Sequence, residues 1–336
     1  MLRRRLPVFL AAAFATAGAA AAEQRKSFRV GFAAAALGDP VQAIEADLLN
    51  AAAKRAGLTM LPAADANNNA ARQAGDIRRL IAGGARGIIA VPADGPFLTP
   101  ALDDAAARNV PVILLNGAPA GGRVAMIVCA DDARMGADAA RLIGAQLGGA
   151  GTVLALAAPG NVRTRDRSAG FAACLRHAFD DVTLIEQPTD GSATAIVAAT
   201  RGVLAHTPDL AAIFLPSDVA MLPGVLKALQ QAGRVAPVGA PGHVVLVGID
   251  GSALALQRIR AGTVDAAISL PLELCVSCGL RYLAAALVGQ GFAPGATDHD
   301  SRIVEDNGNL ADLLPAPLVT RANAASPALW GNKIKA

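Results

Sequence analysis

Short apolar runs alternate with longer alanine- and leucine-rich segments from residue 28 onward. Helices are predicted at 41–56, where apolar residues recur at helical spacing, and around 98–108. The apolar runs between them predict four strands, at 28–34, 87–91, 110–115 and 124–130. These runs are continuously apolar rather than alternating, which indicates burial on both faces of a sheet. Strand–helix–strand units of this length predict a parallel sheet with right-handed crossovers.

The alternation restarts in the second half of the chain. Strands are predicted at 152–156, 182–185, 211–215, 244–249, 265–269 and 316–320. Helices are predicted near 165–179, 192–206, 218–232, 252–260 and 271–289. Two successive sets of parallel strands are too many for one sheet, so we expect two similar α/β domains with a junction near 129–135. Residues 291–310, rich in Gly, Asp and Asn, are predicted to form a loop.

The first 22 residues have a different pattern. Arg3–Arg5 form a positive start, Leu6–Ala22 is an apolar stretch, and Ala20–Ala22 form an A-x-A cleavage site before Glu23. A membrane anchor needs about 20 apolar residues, so this segment predicts a cleaved signal peptide over 1–22 and an exported protein.

Removal of that segment changes the net charge. The whole chain carries +3, but without the three arginines 27 Lys+Arg balance 27 Asp+Glu. A nucleic-acid-binding protein usually carries a clustered positive excess. We therefore expect no nucleic-acid partner.

The sequence patterns of common catalytic and metal sites are not found. No G-x-S-x-G, P-loop or G-x-G-x-x-G opens a predicted helix, and the four histidines are scattered. Cys275 and Cys278 are spaced by one helical turn, but no second pair has ligand spacing. We predict buried, inert thiols, no metal, no cofactor and no enzymatic activity; whether the cysteines form a disulfide stays open.

Polar side chains follow the predicted strands, where parallel α/β sheets bind ligands. They are Asp39, Asp94, Asn116, Asp131, Asp132, the arginines of 163–167, Ser217, Asp218 and Asp250. Carboxylates accept and guanidinium groups donate several hydrogen bonds, so this set suits a ligand rich in hydroxyls. Asp and Ser after a strand also cap helices, and each such residue could have either role.

Seven segments, in order, resemble the type I (ribose-type) periplasmic substrate-binding proteins of ABC transporters over roughly 28–323. They are VGFAAAALGDPVQAIEADLLNAAAKRAG, DIRRLIAGGARGIIAVPAD, NVPVILLN, RTRDRSAGF, AIFLPSDVAMLPGVLKAL, VVLVGIDG and AAISLPLEL. The resemblance implies two α/β domains, joined by a three-strand hinge, that close on a ligand. One would comprise 27–131 with about 270–305, the other 132–269 with about 306–330. LacI-type repressors share this module, but a signal peptide stands here in place of their DNA-binding headpiece.

The resemblance also implies ligand-binding residues. Arg165 is expected to grip ligand hydroxyls with Asp250 opposite, while Arg163 and Arg167 are expected at the rim or in solvent. The other positions implied are Asp39, Gln42, Asn116 and Ser217.

Aromatic residues are the largest departure from this family. Sugar-binding relatives stack ligand rings on aromatic side chains, but Val41, Gln42 and Gly191 occupy those positions and aromatics are only 3% of the chain. We therefore expect an unusual sugar, a polyol or a related small polar ligand, carried by a periplasmic monomer to an ABC permease. Two alternatives remain: a periplasmic sensor subunit signalling to a membrane receptor or kinase, and a binder of non-sugar cargo.

Overall fold

The computed structural model describes residues 28–93, 96–158 and 162–334, so the predicted signal peptide and Asp94 lie outside the described residues. The chain divides into two compact units. The first comprises the chain up to Cys129 with Leu274–Thr297 and Arg302–Asp312. The second comprises Ala130–Glu273 with Asp298–Ser301 and the chain from Leu313.

The strands and helices alternate along most of the chain. The strands are β1 Arg29–Ala34, β2 Thr59–Met60, β3 Ala64–Asp65, β4 Gly87–Ala90, β5 Val112–Leu115, β6 Met126–Ala130, β7 Ala150–Ala157, β8 Asp181–Pro188, β9 Leu210–Leu215, β10 Val245–Asp250, β11 Ala266–Ser269, β12 Gly295–Ala296, β13 Arg302–Asp306, β14 Asn309–Leu314 and β15 Leu318–Val319. The α-helices are α1 Pro40–Arg55, α2 Ala70–Ala82, α3 Thr99–Ala107, α4 Asp132–Gln146, α5 Val162–Ala178, α6 Ala193–His206, α7 Asp218–Gln231, α8 Ala253–Arg260 and α9 Leu272–Ala286. Short 3₁₀ turns lie at Pro96–Leu98 and Trp330–Asn332.

Two sheets are formed. The first has the order β12-β13-β14-β6-β5-β4-β1-β2, with β3 also beside β1, and the second has the order β15-β11-β10-β9-β7-β8. In the first sheet, neighbouring strands along β6-β5-β4-β1 are parallel. In the second sheet, neighbouring strands along β11-β10-β9-β7-β8 are parallel. The prediction of two parallel-sheet α/β domains is therefore confirmed. The sheets also contain antiparallel pairs, among them β12 with β13 and β11 with β15.

Burial follows the continuous apolar runs. Every residue of β4, β5 and β11 is buried, as expected for strands covered on both faces. In the second unit one apolar cluster joins β7, β9 and β10 to α6, α7 and α8. No helix among the described residues combines the length and the apolar character that crossing a membrane would require.

The prediction of a loop over 291–310 is wrong. This segment contains β12, β13 and the start of β14. These strands are short and partly exposed, and polar residues interrupt them, so they lack the apolar run that marks a central strand.

Candidate functional site

In the second unit, Arg167 is the centre of a buried group of polar side chains. Its side chain is 3% exposed and extends from α5. Its Nε donates to Asp132 Oδ1 at 2.6 Å, and its Nη1 donates to Asp250 Oδ1 at 2.7 Å and to the carbonyl of Pro216 at 2.9 Å. The guanidinium thus joins the start of α4 to the ends of β9 and β10.

The positive charge of Arg167 and the negative charges of Asp132 and Asp250 stabilise one another. Burial acts to lower the pKa of the Arg167 guanidinium, but Asp250 and Asp132 outweigh it and hold that pKa above its ordinary value. Burial raises the pKa of Asp132, while Arg167 opposes that shift. Arg167 is therefore a permanent cation, and its carboxylate partners offset the cost of burying it.

Asp250 has both carboxylate oxygens in hydrogen bonds. Oδ1 accepts from Arg167, and Oδ2 accepts from the Ser217 hydroxyl at 2.6 Å. Ser217 also caps α7, because its Oγ accepts from the backbone N–H of Ala220 at 3.4 Å. Of the two roles that the sequence left open, helix cap and ligand contact, the cap is therefore present at Ser217, and the ligand contact stays a prediction.

Asp218 supports the turn that follows Asp250. Its carboxylate accepts from the backbone N–H groups of Gly251 at 2.8 Å and Ser252 at 3.0 Å. Burial, and then the neighbouring charge of Asp250, raise its pKa to about 7. Asp218 is thus a buried brace for the loop rather than a surface cap.

The approach of α4 to α5 sets the position of Arg167. A Cβ built on Gly136 would lie 1.9 Å from the carbonyl oxygen of Arg167, and one on Gly170 would lie 2.0 Å from that of Ala133. Only glycine lets the two helix backbones meet this closely. On the other side, Phe171 stacks on Phe214 of β9 with ring centroids 4.0 Å apart.

In the first unit, two of the predicted residues form the turn between β1 and α1. The Asp39 carboxylate caps α1 by accepting from the backbone N–H groups of Val41 at 2.8 Å and Gln42 at 3.2 Å. The Gln42 side chain is buried, and its Oε1 accepts from the N–H of Ala36 at 3.0 Å. Both side chains therefore fix the loop at the carboxyl end of β1.

Asn116 follows β5 in the left-handed backbone conformation, with a φ of 61°. Its amide donates to Glu45 Oε1, a fully buried carboxylate of α1. Its Oδ1 accepts from the Cys275 thiol at 3.5 Å, and the same thiol lies 3.3 Å from the carbonyl of Val128. Burial, and then Glu45, raise the pKa of that thiol well above its ordinary value. The amide is thus held between an acid and a neutral thiol.

Comparison with known proteins assigns the family. The model of the periplasmic binding protein domain matches residues 30–290, which is most of the chain. The chain belongs to the periplasmic binding protein domain family.

Named relatives and a solved structure agree with this assignment. The ribose import binding protein of Bacillus subtilis (strain 168) is 27% identical over 74% of this chain and 78% of its own length. The xylitol-binding protein of Mycolicibacterium smegmatis is 28% identical over 59% of this chain and 55% of its own length. A periplasmic solute-binding protein of Actinobacillus succinogenes 130z, solved with bound D-allose, has the same fold, with a TM-score of 0.72 at 18% identity over 89% of this chain and 99% of its own.

Arg167 of this periplasmic binding protein has an environment unlike the one the sequence suggested, while the ligand contact expected of Arg165 stays a prediction. The prediction that Arg167 lies at the rim is wrong, because it is the buried cation of the second unit. Arg165 lies on the outside of α5 with its side chain 61% exposed and its Nε 3.6 Å from Asp166 Oδ1. Arg167 precedes the buried Phe171 by four residues, and that helical spacing is the signal that would have identified it.

The other predicted residues fall into two groups, one in each unit. Ser217 and Asp250 are joined in the second unit through Arg167 and a direct hydrogen bond. Asp39, Gln42 and Asn116 lie in the first unit at the ends of β1 and β5. Each group offers fixed donors and acceptors, which is the chemistry that recognises hydroxyl groups.

Proposed function

We propose that this periplasmic binding protein is exported by its signal peptide and captures a small polyhydroxylated ligand between its two lobes. It would deliver that ligand, a sugar, a polyol or a related compound, to an ABC transporter. We further propose that it acts as a periplasmic monomer, without covalent chemistry, metal or cofactor. The observation that carries this proposal is the buried group of Arg167, Asp250 and Ser217.

This group is suited to hydroxyls because it combines a fixed cation with a fixed carboxylate. Hydrogen bonds to charged groups contribute about 1.5–3 kcal/mol each, more than those between neutral groups. Asp250 is held by Arg167 and Ser217, so a ligand hydroxyl would meet a carboxylate already oriented. The relatives named for ribose import and xylitol binding, and the solved relative with bound D-allose, support the same class of ligand.

We propose two tiers of contact residues. The second lobe would contribute ligand contacts from Arg167, Asp250 and Ser217. The first lobe would contribute them from Asp39, Gln42 and Asn116. Arg165 remains a candidate as an outer contact, because its exposed guanidinium is not held in the buried group. Delivery to a transporter is favoured over signalling, because the Bacillus subtilis relative, which matches 74% of this chain, is named a ribose import binding protein.

A ligand screen of the protein lacking residues 1–22 tests the proposal. D-ribose, D-allose, xylitol, amino acids and fatty acids would each be added in a thermal-shift assay, followed by calorimetry. A ligand at one hundred times its Kd stabilises the folded state by about 2.7 kcal/mol, which raises the melting temperature measurably. The proposal predicts a shift with at least one sugar or polyol and a smaller shift in Asp250→Ala. Stabilisation by amino acids or fatty acids alone would contradict it.

A further inference from the structure

The C-terminal part of the second unit packs on the backbone beside the candidate site. The Trp330 indole Nε1–H donates to the carbonyl oxygen of Asp250 at 2.6 Å, and Trp330 is 3% exposed. A Cβ built on Gly331 would lie 2.4 Å from the carbonyl oxygen of Gly251. Backbone therefore meets backbone here, immediately after Asp250.

Polar contacts hold this C-terminal segment in place. Arg260 Nη1 donates to the carbonyl of Ala324 and to Asn332 Oδ1, both at 3.0 Å. The Asn332 amide donates to the carbonyl of Ser326 at 2.8 Å. The segment is thus tied to α8 and to itself on both sides of Trp330, so the indole is presented in one orientation.

The backbone of Asp250 has a conformation that needs support. Its φ is 122°, a region that residues with a Cβ rarely adopt and that is retained where the surroundings over-determine it. The carbonyl of Asp250 accepts from the Leu270 N–H at 2.9 Å as well as from Trp330. Two donors therefore fix the peptide unit from which the carboxylate is directed towards Arg167 and Ser217.

We propose that Trp330 is a positioning residue of the ligand site, which acts by holding Asp250 in this backbone conformation. This inference rests on the proposed function, since it assigns to Asp250 a ligand contact. Trp330 would not touch the ligand itself. Its loss would let the Asp250 peptide rotate towards a common conformation and move the carboxylate away from its two partners.

Calorimetry on Trp330→Phe tests this role. Phenylalanine keeps an aromatic ring but has no N–H, so affinity for the sugar or polyol identified with wild-type protein should fall about five- to tenfold, the effect of one hydrogen bond. Asn332→Ala, which keeps the indole and loosens its segment, should give a smaller loss. In the Asp250→Ala background, Trp330→Phe should cause no further loss, because Trp330 acts through Asp250.

His243→Phe is the matched control. His243 is a buried ring at the amino end of β10, where its Nδ1 lies 2.8 Å from the Ala236 carbonyl and its Nε2 2.9 Å from Asp265 Oδ2. This variant should lower the melting temperature of the same lobe without changing ligand affinity. Wild-type affinity in Trp330→Phe, or an equal loss in His243→Phe, would overturn the proposal by showing that Trp330 only stabilises the lobe.

A measurement without ligand separates this inference from the proposed function. Trp330 is the single tryptophan of the chain, so its indole gives one assignable ¹H–¹⁵N signal. The bond to Asp250 predicts slow exchange of the indole proton with solvent in the free protein, and faster exchange in Asn332→Ala. If no sugar or polyol binds the wild-type protein, the proposed function fails and the exchange rate still decides the contact. Exchange as fast as in an unfolded chain would overturn the positioning role.

Discussion

Replacement of Arg167 by methionine is the most direct test of the buried group in the second unit. Methionine retains much of the apolar stem but removes the charge and three hydrogen bonds, to Asp132, to Asp250 and to the carbonyl of Pro216. Two carboxylates would remain in the interior without their cation. Loss of one partner from a buried ion pair costs about 3–5 kcal/mol, so we expect a loss of that size in the free energy of unfolding.

Arg165→Met is the matched control on the same helix. Its guanidinium is largely exposed and lies 3.6 Å from Asp166, so the free energy of unfolding should change by less than about 1 kcal/mol. Urea unfolding followed by the fluorescence of Trp330, which lies in the same unit as both arginines, measures the two variants alike. Ligand affinity measured alongside decides which arginine contacts the ligand.

The loss of stability in Arg167→Met should also depend on pH. Burial raises the pKa of Asp132 and Arg167 opposes that shift, so Asp132 is protonated more readily without the guanidinium, and the destabilisation in Arg167→Met should be smaller at pH 5 than at pH 8. A loss below about 1 kcal/mol in Arg167→Met, or an equal loss in Arg165→Met, would refute the view that Arg167 neutralises the interior of this lobe.

Three further predictions concern residues around Arg167. Ser217→Ala should weaken sugar or polyol binding about fivefold in calorimetry, because Asp250 loses one of its two partners, and unchanged affinity would argue against it. Gly136→Ala should lower the free energy of unfolding by about 3 kcal/mol or more, since the added carbon would meet the Arg167 carbonyl, whereas Gly202→Ala, with open space around it, should be neutral or stabilising. The pKa of Asp218 is raised from 3.8 to about 7 in the folded state, so its contribution to the free energy of unfolding is lost as the pH rises through that range. In urea unfolding measured at several pH values, Asp218→Asn should make the free energy of unfolding fall less steeply with pH. An unchanged pH dependence would contradict the raised pKa.

The central strands could be predicted from the sequence because burial on both faces leaves a continuous apolar run. The runs around β1, β4, β9 and β10 predicted those strands within one or two residues. The strands β12 and β13 could not be found in this way, because their residues are largely solvated and no continuous apolar run marks them. Propensity alone favours a loop there.

The candidate site could be predicted in part. Residues at the carboxyl ends of strands, such as Ser217 and Asp250, were identifiable from topology. To identify which arginine is buried, one must ask which of them lies on the inner face of the helix; the position in the sequence alone does not tell them apart. At 100° per residue, Arg165 points away from Arg167 and Phe171, while those two share a face. The helix predicted near 165–179 contains both arginines, so its faces are the information that separates them.

The hydrogen bonds around Asp250 have a kinetic consequence. Arg167 and Ser217 already hold both of its carboxylate oxygens, and the rotamer freedom of these side chains was lost when the lobe folded. A ligand that binds this group, as proposed, would have little left to immobilise in this lobe on arrival, which would lower the entropic cost of association. Substitutions within this preorganised group should consequently act on how long a ligand stays bound, and leave the rate at which it arrives almost unchanged.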